Sequence, residues 1–267
     1  MILYNKPINE IIEERTSVRG YKGKLEADVK EKLISYLKNL DGPFKGKIRY
    51  AFVDMDFDTT KDLKLGTYGV VKGATSYLVC ILEQESQEQD KVELGYEVES
   101  FILYCTSLGI GSCWMGGTFN KSNFAKAVNL KENEIILIVS PLGYPREKKS
   151  FMEKAMVAVA GSKNRKLWNE LFFDRNLSKP LKKEDAGKYS QALEMVRKAP
   201  SAMNKQPWRI IKVDDSFYFH IAEGRHYGLE CVDIGIAMCH FDMTLKEQGI
   251  NGKWTKEEVN VIKWEVI

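Results

Sequence analysis

The chain has 267 residues, of which 44% are hydrophobic, so it can bury a sizeable core in one large domain or two small ones. Its 40 basic and 37 acidic residues leave a net charge of +3, too mild to indicate binding to nucleic acid. Neither a membrane-spanning run nor a signal-peptide pattern is found, and the five cysteines and three histidines lack disulfide or metal-ligand spacing. These features predict a cytoplasmic protein without a metal.

The first 145 residues alternate predicted helices and strands. Apolar residues at helical spacing predict helices over residues 7–14, 26–40, 95–108 and 120–128. Apolar, β-branched runs predict strands over residues 48–53 and 134–142, and a buried strand or the start of a helix over 76–82. The intervening segments are interpreted as a loop over residues 59–73 and a charged, exposed connection over 83–91.

The second part of the chain begins with a basic segment over residues 146–166, followed by an aromatic-rich segment, 167–173, that we expect to pack on the core. A helix is predicted from residue 189 to 198, because Pro200 then stops the helical pattern. A strand follows over residues 210–213.

The loop between that helix and strand reads Ala-Pro-Ser-Ala-Met-Asn-Lys-Gln-Pro-Trp and spans residues 199–208. Its small residues let the backbone approach a flat ligand, and Asn204 and Gln206 each carry an amide donor and an amide acceptor. Such a loop could bind the edge of an imide, whose acceptor and donor atoms alternate. On the residues alone, an ordinary helix-to-strand turn is an equally good interpretation.

A second candidate site follows the first predicted helix. In an extended segment alternate side chains share one side, so Arg15, Ser17 and Arg19 can converge. Two guanidinium groups and a hydroxyl are suitable donors for a phosphate. The alternative is that these arginines lie on a solvated surface.

Taken together, the motifs resemble those of the nitroreductase family, FMN-dependent oxidoreductases with an α+β fold. Residues 199–208 are similar to the family's flavin-contacting loop, and Arg-Thr-Ser-Val-Arg at 15–19 to its FMN-phosphate motif. Residues 108–119 (Leu-Gly-Ile-Gly-Ser-Cys-Trp-Met-Gly-Gly-Thr-Phe) resemble the family's segment beside the isoalloxazine ring. Residues 143–145, followed by residues 163–166, resemble its closing strand and basic tail. The order differs from ordinary members, in which the Ala-Pro-Ser loop closely follows the phosphate motif.

An internal repeat offers an explanation of this order. A shift of 160 residues places Leu33 on Leu193, and a shift of 140 residues places Gly95 on Gly235. The change of offset indicates that the second half has lost about 20 residues. We therefore predict two related halves, residues 1–174 and 175–267, each with an antiparallel-rich sheet flanked by helices.

The two halves retain complementary motifs. The first half keeps the arginine-serine motif but has Asp41-Gly-Pro at the loop position, whereas the second keeps the loop but has Arg175-Asn-Leu-Ser at the phosphate position. Members of the family are typically homodimers with FMN at the subunit interface. The resemblance therefore implies a monomer that acts as a single-chain pseudo-dimer, with one FMN site between its halves and an empty second site.

The resemblance also implies which residues contact FMN. Those expected at the phosphate are Arg15, Thr16, Ser17 and Arg19, with Lys163 and Arg165 closing over it. Those expected at the pyrimidine side of the ring are Pro200, Ser201, Asn204 and Gln206. Gly116 and Gly117 are expected to place backbone amides near the reactive nitrogen, where a side chain would collide.

In function, the resemblance implies an enzyme that passes electrons from NAD(P)H through FMN to a flat acceptor such as a nitroaromatic or a quinone. The flavin would carry the chemistry, with no catalytic side chain. Two alternatives remain: a flavin-binding sensor or assembly protein without turnover, and another flavin reaction on the same fold, such as dehalogenation or azoline oxidation.

Overall fold

The computed structural model describes residues 4–54, 70–147, 164–222, 224, 227–258 and 260–267. Within this part of the chain the first sheet consists of short β1 (Tyr21–Lys22), β2 (Ile48–Asp54), β3 (Ser76–Glu83), short β4 (Gly111–Ser112) and β5 (Glu134–Pro145). The strand order is β1-β5-β3-β2, β4 also pairs with β5, and every pairing is antiparallel.

The position of β3 inside the first sheet, between β5 and β2, explains why its sequence is apolar throughout. Leu78, Cys80 and Leu82 belong to one core cluster, whereas side chains of alternate residues such as Val79 and Ile81 belong to a second cluster on the other face. Both faces of the sheet are therefore covered, and of the two predictions for residues 76–82 the buried strand is confirmed.

The second sheet consists of β6 (Phe172–Asp174), β7 (Trp208–Val213), β8 (Ser216–Ile221), β9 (Gly252–Glu258) and β10 (Val261–Val266), in the order β6-β7-β8-β10-β9. Strand β6 is parallel to β7, and the remaining pairings are antiparallel. The division of the chain after residue 174 stays a prediction, although β6, which precedes that point, pairs with the second sheet.

Seven α-helices are found in the described residues. They are α1 (Ile8–Glu14), α2 (Ala27–Lys38), α3 (Glu88–Ser107), α4 (Lys121–Ala127), α5 (Trp168–Leu171), α6 (Ser190–Lys198) and α7 (Glu230–Glu247). None of them is both long enough and apolar enough to cross a membrane.

Helices α3 and α7 cross at two glycines. A Cβ atom on Gly95 would clash with the backbone carbonyl oxygen of Val232, and a Cβ atom on Gly235 would clash with that of Val92. The contact is reciprocal, because the two glycines are 140 positions apart and the two valines are also 140 positions apart. Only glycine permits backbones to approach this closely.

The ends of these two helices also correspond. Gly109 and Gly249 adopt left-handed φ angles of 73° and 75°. The N–H of Ile110 donates to the carbonyl of Cys105, and that of Ile250 donates to the carbonyl of Leu245, each at 2.9 Å. Both helices thus end in the same glycine-dependent cap, at the offset that the internal repeat predicts.

Most predicted elements are confirmed within a few residues, but the exposed connection over residues 83–91 is wrong in its second half. Helix α3 starts at Glu88, because Gln87 and Asp90 form a capping box in which the Gln87 N–H donates to the Asp90 carboxylate at 2.8 Å. Most of the predicted loop at 59–73 and of the basic segment at 146–166 lies outside the described residues.

Candidate functional site

A cavity of about 580 Å³ lies where segments from both parts of the chain meet, and its volume is in the range of small-molecule and cofactor sites. Its walls come from the end of α1 and the segment after it, the segment after β4, strand β5, the loop after α6, and the first turns of α7. The predicted site residues in this lining are Arg15, Thr16, Ser17, Arg19, Gly116, Arg165, Pro200, Ser201 and Asn204.

One side of the cavity is cationic. Arg15 is only 9% exposed, and its Nε lies 3.6 Å from a carboxylate oxygen of Glu99, too far for a hydrogen bond. Among the described residues, the buried Nε atoms of Arg15 and Arg19 have no hydrogen-bond partner. Buried donors normally have an acceptor, so these two guanidinium groups suit an anionic ligand.

Arg165 adds a third guanidinium to this lining. Burial, together with the positive charges of Arg15 and Arg197, lowers the pKa of Arg165 to about 10, so it stays protonated at neutral pH. Its Nη2 donates to the carbonyl of Lys198 at 2.9 Å, and its Nη1 donates to the side-chain oxygen of Asn204. A bound anion would relieve the mutual repulsion of these cations.

The loop after α6 has an unusual backbone. Met203, Asn204 and Gln206 adopt left-handed φ angles of 50°, 54° and 48°, which residues other than glycine rarely adopt. The hydroxyl of Ser201 accepts a hydrogen bond from the N–H of Gln206 at 2.8 Å, which joins the two ends of the strained segment. Strain of this kind is common at ligand-binding sites and persists only where surrounding contacts hold it.

The two amide side chains of the loop bind backbone groups of residues 164–166. The Nδ2 of Asn204 donates to the carbonyl of Asn164 at 2.8 Å, although Asn204 still lines the cavity. Gln206 is 2% exposed and accepts a hydrogen bond from the N–H of Lys166 at 2.9 Å. Gln206 is absent from the lining, and its contact with the flavin ring stays a prediction.

Two further predicted contacts are Gly117 and Lys163. Gly117 is absent from the lining, and a Cβ atom there would meet none of the described residues within 4 Å. Its neighbour Gly116 does line the cavity, where a Cβ atom would come within 2.5 Å of Leu229. Lys163 lies outside the described residues.

A buried charged network supports the cationic side, and the sequence analysis missed it. Glu99 on α3 is fully buried; it accepts hydrogen bonds from Trp114 Nε1 and from His240 Nε2, each at 2.8 Å. Burial acts to raise the pKa of Glu99, but the hydrogen bond and charge of His240 and the charge of Arg15 outweigh it and lower that pKa. An acidic residue between Val98 and Phe101 was the available signal.

A second, much smaller cavity of about 20 Å³ is lined by residues that include Phe44, Gln89 and Val92. An offset of 140 relates Gln89 and Val92 to Leu229 and Val232, which line the large cavity. An offset of 160 likewise relates Phe44 to Asn204. The two cavities thus occupy corresponding positions of the predicted repeat, and only one of them has room for a ligand.

Two antiparallel-rich sheets flanked by helices, with a cation-lined cavity beside a strained Ala-Pro-Ser loop, define an α+β protein with a nitroreductase-like fold. The chain belongs to the family described as "Putative TM nitroreductase", whose model matches residues 7–245.

One solved structure supports the same fold, and two others are less similar. One described as "a putative nitroreductase" from Thermotoga maritima is 21% identical, with a TM-score of 0.67, over 100% of this chain and 96% of that chain. A nitroreductase family protein from Clostridium novyi NT is 22% identical, with a TM-score of 0.45, over 54% and 89% of the two chains. One "in complex with FMN" from Desulfovibrio desulfuricans is 18% identical, with a TM-score of 0.43, over 56% and 95%. No curated protein matches the chain.

Proposed function

We propose that this protein is an FMN-dependent oxidoreductase that passes electrons from NAD(P)H to a flat acceptor such as a nitroaromatic or a quinone. The observation that carries the proposal is the single cavity that joins residues 15–19 to the loop at 200–204. In the family that the chain resembles, these two motifs hold the phosphate and the ring of one flavin.

The cationic side of the cavity would hold the phosphate. Arg15 and Arg19 offer charged donors, Ser17 offers a hydroxyl, and Arg165 approaches with a further guanidinium. The buried Nε atoms of Arg15 and Arg19 fit such an anion. Lys163 remains a proposed contact.

The remaining walls would hold the ring. Pro200, Ser201 and Asn204 contribute to one part of the lining, and Gly116 and apolar side chains such as Leu229 contribute to another. Bound FMN would supply the redox chemistry by exchanging a hydride and electrons with its substrates. The protein would position the ring between these parts of the lining.

We further propose that the chain is a monomer built as a pseudo-dimer, with its two halves divided after residue 174. The reciprocal contact of Gly95 and Gly235 and the matching helix ends at Gly109 and Gly249 support two related halves. The volumes of about 580 Å³ and 20 Å³ support one working site and one closed site.

The stoichiometry of flavin binding tests this proposal. We expect a titration of the apoprotein with FMN to end at one flavin per chain, because only one of the two corresponding cavities is open. The loaded protein should then oxidise NADH or NADPH with a quinone or nitroaromatic acceptor. Two flavins per chain would contradict the pseudo-dimer, and loading without turnover would favour a flavin-binding sensor or assembly protein.

Arg19→Ala should weaken FMN binding about 10- to 150-fold, since it removes a charged hydrogen bond worth about 1.5–3 kcal/mol. Riboflavin lacks the phosphate, so its affinity should not change. The matched control is Lys22→Ala, which removes a nearby charge whose side chain is 55% exposed and pairs with Glu147 on the surface. Equal losses for FMN and riboflavin would remove Arg19 from the phosphate site.

We also propose a cytoplasmic location. All five cysteines are free, and four of them, Cys80, Cys105, Cys113 and Cys239, are buried. Free thiols in this number suit a reducing compartment.

A further inference from the structure

Asp233 lies in the wall of the large cavity, on the first turn of α7, and is 2% exposed. The backbone N–H of Ala202 donates to its two carboxylate oxygens at 3.0 and 3.1 Å, and the hydroxyl of Tyr227 donates to one of them at 2.5 Å. Burying a carboxylate is costly unless it accepts hydrogen bonds. These contacts attach the loop after α6 to α7 at Ala202.

The attachment lies beside the strained part of that loop. Met203 and Asn204, which follow Ala202 directly, have left-handed φ angles and line the cavity. At the end of the strained segment, the N–H of Gln206 donates a hydrogen bond to the hydroxyl of Ser201, which precedes Ala202. The bond between Asp233 and Ala202 therefore fixes the start of the strained segment, in addition to the contact between Ser201 and Gln206.

The corresponding position in the first half provides an internal comparison. Glu93 lies 140 residues before Asp233, is fully buried, and accepts hydrogen bonds from the N–H groups of Phe44 at 2.9 Å and Lys45 at 3.0 Å. An offset of 160 relates Phe44 and Lys45 to Asn204 and Lys205, which follow the residue that Asp233 holds. Glu93, whose side chain is longer than that of Asp233 by one methylene group, thus binds a later part of its loop.

The two attachments lie beside cavities of very different size. Where Glu93 holds the loop, Phe44 lines a cavity of about 20 Å³. Where Asp233 holds it, the cavity has about 580 Å³. The same type of contact, from the same helix position, accompanies a closed cavity in one half and an open cavity in the other.

We propose that Asp233 is a positioning residue of the flavin site, because its hydrogen bond with the Ala202 N–H holds the loop at 200–204 in the conformation that leaves room for the ring. This inference rests on the proposed function and specifies how the ring side of the site is kept open. Asp233 acts through the loop, so its effect is independent of the phosphate.

The test compares Asp233→Ala and Asp233→Asn in flavin binding, with FMN and riboflavin as the two probes and quenching of flavin fluorescence as the signal. Burial raises the pKa of Asp233 to about 7, with the negative charge of Glu230 acting in the same direction, so the titrations are done at about pH 8.5, where the carboxylate is ionised. Asp233→Ala should weaken both flavins by the same factor, about tenfold, as loss of one hydrogen bond to a charged group predicts.

Rescue distinguishes positioning from a general loss of stability. In Asp233→Asn the side-chain oxygen can still accept the Ala202 N–H, so both affinities should return to within about twofold of the wild type. Ala202→Pro removes the donor itself and leaves Asp233 in place, so it should reproduce the effect of Asp233→Ala. Ser201 already has φ −150° and ψ 160°, which a following proline accepts. Glu93→Ala, the matched control, should leave both affinities unchanged.

The outcomes separate this inference from the proposed function. If the wild type binds neither flavin, the proposed function fails. If the wild type binds but Asp233→Ala and Ala202→Pro bind equally well, only the role of Asp233 is overturned. A loss confined to FMN, or an Asp233→Asn variant as weak as Asp233→Ala, would also overturn it, because positioning by this hydrogen bond requires both ring-side loss and rescue.

Discussion

Gly95→Ala should destabilise the protein by about 3 kcal/mol, the upper part of the range for overpacking a core. Alanine would improve the helix propensity of α3 by about 1 kcal/mol, so two effects of opposite sign compete. The steric effect should prevail, because the added Cβ atom would clash with the backbone carbonyl of Val232, which cannot rotate away as a side chain could. Denaturation by urea, followed by circular dichroism, measures the difference.

The reciprocal contact makes a sharper test possible. Gly235→Ala should cost a similar amount, because its Cβ atom would clash with the carbonyl of Val92. The double variant should cost clearly less than the sum, since the first substitution already separates the two helices. Gly117→Ala is the control, because a Cβ atom there meets no described residue within 4 Å. Full additivity, or no loss in either single variant, would show that the helices do not cross at these glycines.

This crossing also shows what the sequence could predict. The offset that aligned Gly95 with Gly235 came from sparse identities, yet both glycines are found at one helix contact. Gly109 and Gly249 likewise end their helices with the same cap. Glycines that a close approach or a left-handed φ requires are poorly replaceable, so they preserve a repeat after other positions have diverged.

The direction of polar side chains was less predictable. The sequence showed that Asn204 and Gln206 carry amides beside small residues, but not that their amides bind residues 164–166. That contact joins segments about 40 residues apart, and local patterns carry no information on it. The start of α3 was missed for a different reason, because charged residues of a capping box resemble an exposed connection.

The buried acids Glu99 and Asp233 were missed because their partners lie outside their own helices. His240, the partner of Glu99, lies 141 residues later. Both acids occupy otherwise apolar helix faces, where a charged residue is rarely tolerated without a partner. Such positions are therefore a usable signal for a buried network, even when the partner cannot be named from the sequence.

Glu99→Ala should cost about 3–5 kcal/mol, the range observed when one member of a buried charged pair is removed. The substitution leaves the buried guanidinium of Arg15 without its nearest carboxylate, and an arginine cannot relieve this by losing its proton. The fully buried Nε2 of His240, which lies 2.8 Å from the Glu99 carboxylate, also loses this hydrogen-bond partner. Equilibrium denaturation near pH 7 measures the cost.

The pH dependence tests whether the charge of Glu99 is responsible. Because the network lowers the pKa of Glu99, its contribution is complete above the ordinary carboxyl pKa of about 4.3 and is lost as the pH falls through the folded-state value. The stability difference between the wild type and Glu99→Gln should therefore be largest near neutral pH and shrink in acid. Asp28→Ala, which removes an exposed partner of Lys32, should change little at any pH.

Flavin binding should respond to the same substitution. Arg15 lines the cavity at the proposed phosphate position, so an arginine no longer held by Glu99 should bind FMN less tightly, while the affinity for riboflavin should change less. Glu99→Gln retains an oxygen that can accept from Trp114 and should lie between the wild type and Glu99→Ala. If Glu99→Ala unfolds as easily as expected but binds FMN as tightly as the wild type, the network stabilises the core without shaping the cationic side of the cavity.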